Sequence, residues 1–329
     1  MLAVLLALAA AAGYGGSDFA AGLAARRASV VRVTVLAEVT SAALLLCVIP
    51  FISSQAPSLA SALWGAVAGA SGVAGAMALY LGFRHAAFSV ASSVSAVGTA
   101  AFSVLVGLAL GERPTALSLA GISLAVPAIV GVSAPARRAG PEVAPAVAGS
   151  RAVTRSGQHG AGSSGGPGGA ALPGQDGPGG RRFRPAATGR HAAGVGWGLA
   201  AGAGFGMFFI GLNQAGSGAD LWPIVISQLA AMVTVTGVAV VIRDLGPPPA
   251  GTRGLSLLTG AASAVGTTMF FLATHHGLLA ITAVITSLYP AGTILLARVL
   301  LGERLTPLRT AGLCFAAASV ALIAAGGAG

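Results

Sequence analysis

Lysine is missing from this chain altogether, so all eighteen of its basic residues are arginine, and only eight residues are acidic. Charged residues make up 8% of the 329, where ordinary soluble domains keep about a quarter. Such a chain lacks the means to cover itself with a water-compatible surface. Cysteine is scarce too. Cys47 and Cys314 each lie inside an apolar run, with no framework of paired thiols and no metal-ligand spacing around them, so both read as small core residues and no metal is expected. Aromatic residues are 5% of the chain and do not interleave with a basic patch, which sets nucleic acid aside despite the net charge of +10. Much of that charge is confined to one central segment, in Arg137, Arg138, Arg151, Arg155, Arg181, Arg182, Arg184 and Arg190. Arginines so placed suit a membrane surface with anionic lipid heads. The Ala/Gly/Arg/Pro bias points to a GC-rich, bacterial genome.

What the chain has in abundance is apolar length. Hydrophobic residues reach 55%, with a mean hydropathy of +0.86. Runs long enough to cross about 30 Å of hydrocarbon at 1.5 Å per residue recur near residues 2–23, 30–52, 59–83, 86–110 and 115–132. Five more follow near 193–212, 221–242, 255–274, 278–301 and 308–325. The runs are continuous rather than alternating, which favours helices over a barrel. The sequence therefore predicts an all-α membrane protein of ten transmembrane helices. Leu2 to Ala12 resembles the core of a signal peptide, but no basic residue precedes it, so it is taken as the first helix.

Between the fifth and sixth runs lies a Gly/Pro/Ser/Arg-rich stretch without hydrophobic period, expected to be a disordered linker. The expected division is residues 1–133, a first five-helix repeat; 134–191, the linker; and 192–329, a second repeat. A shift of 191 residues carries Gly111-Glu112-Arg113 onto Gly302-Glu303-Arg304. Without a gap, the same shift pairs Gly13 with Gly204, Gly15 with Gly206, Gly69 with Gly260, Gly75 with Gly266, Thr115 with Thr306 and Gly121 with Gly312. Five crossings is an odd number, so the second copy enters from the opposite side. Two inverted repeats of this kind are the architecture of alternating access, with the solute site near the midplane.

The second half, with Tyr289-Pro290 followed by Leu300-Leu301-Gly302-Glu303-Arg304-Leu305-Thr306 and Gly312, resembles the EamA-type repeat of the drug/metabolite transporter superfamily. The first half repeats the ending as Leu110-Gly111-Glu112-Arg113-Pro114-Thr115, but holds Gly98-Thr99 where the second holds Tyr289-Pro290, so a kink in the fourth helix is in doubt. The resemblance implies a ten-helix exporter or exchanger of small metabolites in the cytoplasmic membrane. Its partners would be a small-molecule solute and membrane lipids.

Intramembrane acids are costly and mark functional sites. Asp18 sits among the small residues Gly13 to Ser17 near the end of the first run, with Tyr14 and Ser17 beside it; a plain alternative is pairing with Arg26 or Arg27. Glu38, deep in the second run, is the candidate for proton coupling, against a structural hydrogen bond to a neighbouring helix. Ser92, Ser95 and Thr99 share one face of the fourth helix, and Thr282, Thr286, Tyr289 and Thr293 one face of the ninth, which suits a lined cavity. Asn213, Gln228, Thr267 and Thr268 add donors and acceptors. The Gly-Glu-Arg segments are expected to tie hairpins, with Thr115 and Thr306 as helix N-caps. Gly202-Ala203-Gly204-Phe205-Gly206 has no preceding strand, so a nucleotide loop is rejected, and no catalytic motif or cofactor site is found. The chain is expected not to be an enzyme. Arg26, Arg27, Arg32, Arg84, Arg243, Arg253, Arg304 and Arg309 gather in loops on one side against Arg113 on the other, which places the former in the cytoplasm. A rival from another class is a non-transporting membrane sensor or scaffold acting through its linker.

Overall fold

The structure, a computed structural model, describes residues 1–48, 57–85, 88–133, 187–216, 221–302 and 305–326, with backbone alone at 80–85, 88–93, 187–194 and 301. The linker lies almost wholly outside the described residues, so its expected disorder and the three-part division stay expectations. Among the described residues every regular element is helical. In chain order these are α1 (Leu2–Ala25), α2 (Val30–Val48), α3 (Leu59–His85), α4 (Phe88–Ala109), α5 (Ala116–Val132), α6 (Ala187–Gln214), α7 (Trp222–Val241), α8 (Ala250–His275), α9 (Leu279–Thr286), α10 (Tyr289–Leu301) and α11 (Pro307–Gly326). Among the described residues eight spans have the length and apolar character to cross a membrane, and Val94–Ala109 and Ala116–Val132 are shorter apolar helices. Helix α6 begins at Ala187, earlier than the run of 193–212 implies.

Local chemistry sets the ends. Thr115 caps α5 by accepting from Ser118 N at 3.2 Å, and Thr306 accepts from Arg309 N at 3.3 Å at the start of α11. The glycines of the two Gly-Glu-Arg segments act alike. Gly111 (φ +92°) follows α4 and Gly302 (φ +68°) follows α10, each in the left-handed conformation that ends a helix at little cost.

The ninth span is not one helix, as the run 278–301 suggested, but two. Pro290 has no N–H for the carbonyl of Thr286, and the chain tightens instead, with Leu288 N bonded to Ile285 O and Ala291 N to Leu288 O. Helix α4, with Gly98-Thr99 at the matching place, runs unbroken.

The interior is built from small and polar residues. Ser41, Ser227, Ser256, Thr282, Thr286 and Ser319 are fully buried, whereas Leu63, Leu105, Val241 and Val299 stand on the outside. Lipid tails are as apolar as leucine, so helices associate through close packing and interhelical hydrogen bonds, not by hiding large side chains. Cys47 and Cys314, expected in the core, are accordingly exposed.

The most extensive packing joins residues 1–133 to residues 187–326: α1 lies on α8, α3 on α6, α5 on α11 and α4 on α6. The glycines explain the closeness. A Cβ on Gly13 would fall 2.8 Å from Gly266 Cα, and one on Gly204 would fall 2.6 Å from Gly75 Cα. The 191-residue shift turns the first of these contacts into the second. Likewise a Cβ on Gly121 would meet Ser319 O at 2.8 Å, and one on Gly312 would meet Ala128 O at 3.0 Å, again an exchanged pair.

Candidate functional site

Where these helices diverge they enclose a cavity of about 890 Å3. Its deep wall holds Tyr14, Thr99, Phe209, Gln228 and Thr267. It then runs past Asp18, Glu38, Thr34 and Ala297 to helix ends at Arg26, Ser133 and Arg309. It thus extends to the arginine-rich side of the bundle. The opposite side is tied. Glu112 accepts from Leu279 N at 2.5 Å and from Ala280 N at 2.8 Å, Thr115 donates to Gly326 O at 3.1 Å, and His275 Nε2 lies against Gly216 O. Glu112 therefore caps α9 across the bundle, a longer reach than the local hairpin inferred from its sequence. A smaller hollow of about 310 Å3 between α4 and α5 is lined almost wholly by Val, Ala, Leu and Ile and carries no chemistry.

The two acids lie at one level. Asp18 is seven residues before the end of α1 and Glu38 eight after the start of α2. At 1.5 Å per residue both sit about 10–12 Å in from the arginine-rich helix ends. Asp18 is exposed, and it lines the cavity. Among the described residues it has no hydrogen bond or ion pair, so the pairing with Arg26 or Arg27 is not formed. Glu38 accepts from Gln228 Nε2 at 3.4 Å, and the same amide reaches Ser41 Oγ. Tyr14, one turn before Asp18 on the same face of α1, donates from Oη to Thr267 Oγ1 at 3.1 Å.

Of the residues singled out from sequence, Tyr14, Ser17, Asp18, Glu38, Thr99, Gln228, Thr267, Tyr289 and Thr293 line this cavity. Others are placed elsewhere. Ser95 is fully buried with its hydroxyl unpartnered, while Thr99 donates to Ser95 O at 2.8 Å. Thr282 bonds back to Leu278 O at 3.0 Å and Thr286 reaches Ala7 O at 3.5 Å, so both are packing residues. The break between α9 and α10 is the cause, because it divides the four-residue stripe and leaves only Tyr289 and Thr293 on the cavity. Thr268 turns back to Ala264 O, and its neighbour Thr267 takes the cavity position. Asn213, near the far end of α6, is not part of the lining. The side chain of Ser92 lies outside the described residues.

Sequence reasoning found Thr267 but missed Thr259 and Ser263 beside it, and it missed the phenylalanines of α6. Thr259, Ser263 and Thr267 form a polar stripe on α8 whose spacing of four was there to be read. Phe205, Phe208 and Phe209 on α6 form an aromatic wall. Phe209 stacks on Phe270 at 4.0 Å between ring centres and lies 6.3 Å from the ring of Tyr14.

Residues 192–325 match the family described as the EamA-like transporter family. No curated protein matches the chain. A solved structure described only as "Crystal structure of protein" is similar in fold, with a TM-score of 0.69 at 12% identity, over 98% of this chain and 98% of its own.

Proposed function

We propose that the chain is a secondary transporter, on the ground that residues 192–325 match the EamA-like transporter family, a branch of the drug/metabolite transporter superfamily. It exports small metabolites or drug-like solutes across a bacterial cytoplasmic membrane. Residues 1–133 and 192–329 act as two five-span copies of opposite orientation, rocking about the cavity between them. The exchange of the Gly13–Gly266 contact for Gly204–Gly75 under the 191-residue shift supports that relation. The arginine-rich loops face the cytosol, so the cavity described here is open inward. Its tied far side, at Glu112 and α9, is the closed outer gate.

The observation that carries this reading is the cavity itself. It is large enough for a drug-sized solute, it penetrates to mid-depth, and it is lined by both halves and by the two acids. Glu38 takes up and releases the coupling proton, because an ionised carboxylate at that depth needs a partner or a proton. The test is transport by the purified protein in liposomes. An imposed proton gradient should drive accumulation of at least one amine, amino acid, nucleoside or amphipathic drug. A protein that moves none of them under any ion gradient overturns the assignment.

A further inference from the structure

The two halves make opposite contributions to the cavity at equivalent positions. The 191-residue shift carries Tyr14 onto Phe205 and Asp18 onto Phe209, and all four side chains line the same space. One wall therefore presents an acid above a phenol, and the other presents two phenyl rings, extended by Phe208 at 5.7 Å from Phe209. Glu38 adds a second carboxylate at the level of Asp18. Among the described residues nothing basic lines the cavity at that depth: the arginines on its lining, Arg26 and Arg309, stand at the mouth.

On the basis of the carrier assignment above, we propose that the transported solute is an organic cation, a single positive charge on an apolar body with aromatic or comparable bulk. Asp18 holds the charge, and Tyr14, Phe205, Phe208 and Phe209 hold the body. A carboxylate on an intramembrane cavity, without a counter-charge among the described residues, creates a local demand for a cation, and aromatic faces satisfy the same demand. The apolar remainder of the lining favours a solute that is not fully hydrated. Solutes of other charge fit poorly. An anion would meet two carboxylates, and the carboxylate or phosphate of a zwitterion would find no basic partner beside Asp18 among the described residues.

Tetraphenylphosphonium and tetraphenylborate have the same shape and opposite charge, which makes them the probe pair. Binding to the purified full chain is measured by equilibrium dialysis, with protein-free micelles subtracted. The phosphonium should bind saturably and at least about 100-fold tighter than the borate, since a like charge placed against a carboxylate costs several kcal/mol. Asp18→Asn should bring that ratio below about tenfold, and Asp18→Glu should restore most of it. Equal binding of the two ions, tighter binding of the borate, or a ratio unmoved by Asp18→Asn overturns the proposal. The wild-type comparison stands even if a variant fails to fold. Failure of the carrier assignment is seen separately: if neither probe binds while liposomes carry a neutral or anionic solute, the cation site falls and the carrier stands. If the phosphonium binds selectively and no solute, itself included, crosses the liposome membrane, the carrier falls and the cation site stands.

Discussion

Arg32 Nε lies 2.7 Å from Asp244 Oδ1, joining the start of α2 to the connection between α7 and α8. Ser29 donates to the other carboxylate oxygen of Asp244. These two contacts, the Ser29 hydrogen bond first, hold the Asp244 pKa below the ordinary carboxylate range. Because the folded value is the lower one, the contribution to stability is complete above the unfolded value of about 3.9 and is lost as the pH falls through the folded value. The thermal midpoint of Asp244→Asn in detergent should therefore fall slightly below the wild type at pH 7 and converge with it near pH 3. A gap of constant size across that range would show that the carboxylate charge has no part in it.

Glu112 makes a different kind of link, from the loop after α4 to the first two amides of α9. Hydrogen bonds to a charged group contribute about 1.5–3 kcal/mol where they are sheltered, so Glu112→Ala should destabilise the protein by about 1–3 kcal/mol. Arg113→Ala should not. Gly107 leaves the room that the carboxylate occupies, since a Cβ there would stand 3.1 Å from Glu112 Cδ. Gly107→Val should reproduce most of the loss. Equal melting of Glu112→Ala and Arg113→Ala would return the segment to a simple surface hairpin.

The glycine crossings predict a positional pattern. Gly204→Ala puts a methyl group against Gly75 Cα, and Gly13→Ala puts one against Gly266. Each should cost about 1–3 kcal/mol by overpacking. Gly196 and Gly254, on the same helices α6 and α8, have nothing within 4 Å, and alanine there should be neutral or slightly stabilising. Melting curves of the four variants check this, and comparable losses at all four sites would dissociate the crossings from stability.

Much of this arrangement was legible in the sequence, and the gaps follow from lipid as solvent. The spans, the 191-residue shift and the two isolated acids need only apolar length and spacing. Which face of a span points inward is harder to read, because hydrophobicity no longer sorts inside from outside. Cys47 faces out while Ser41, six residues earlier, is fully buried. Thr282 and Thr286 were placed on the cavity by treating residues 278–301 as one regular helix, and Pro290 defeats that periodicity. Phe209 carries no polar group to mark it. Only its equivalence to Asp18 under the shift marks it as the facing wall.

Glu38 and Gln228 are bonded across α2 and α7, and the proton-coupling role proposed for Glu38 separates from a structural one by its pH profile. If Glu38 carries the proton, Glu38→Gln should abolish gradient-driven accumulation, flatten the pH dependence of residual exchange, and leave the thermal midpoint within a few degrees of wild type. The amide can still bond to Gln228. Uptake with an unchanged pH profile would confine Glu38 to holding α7 in place.

The direction in which the cavity opens can be read by chemical access. Ser263 lies on the lining at mid-depth of α8, between Thr259 and Thr267. In a background with Cys47→Ala and Cys314→Ala, both at exposed positions that bear little packing, Ser263→Cys supplies the only thiol. A membrane-impermeant maleimide should label it in inverted vesicles, where the arginine-rich loops face the added reagent, and should label it poorly in intact cells. Tetraphenylphosphonium should slow the labelling, because the solute and the introduced thiol would occupy one space. Preferential labelling from outside the cell would reverse the assigned orientation of the loops. It would leave the cavity intact as the route of access but turn its open mouth to the other side of the membrane.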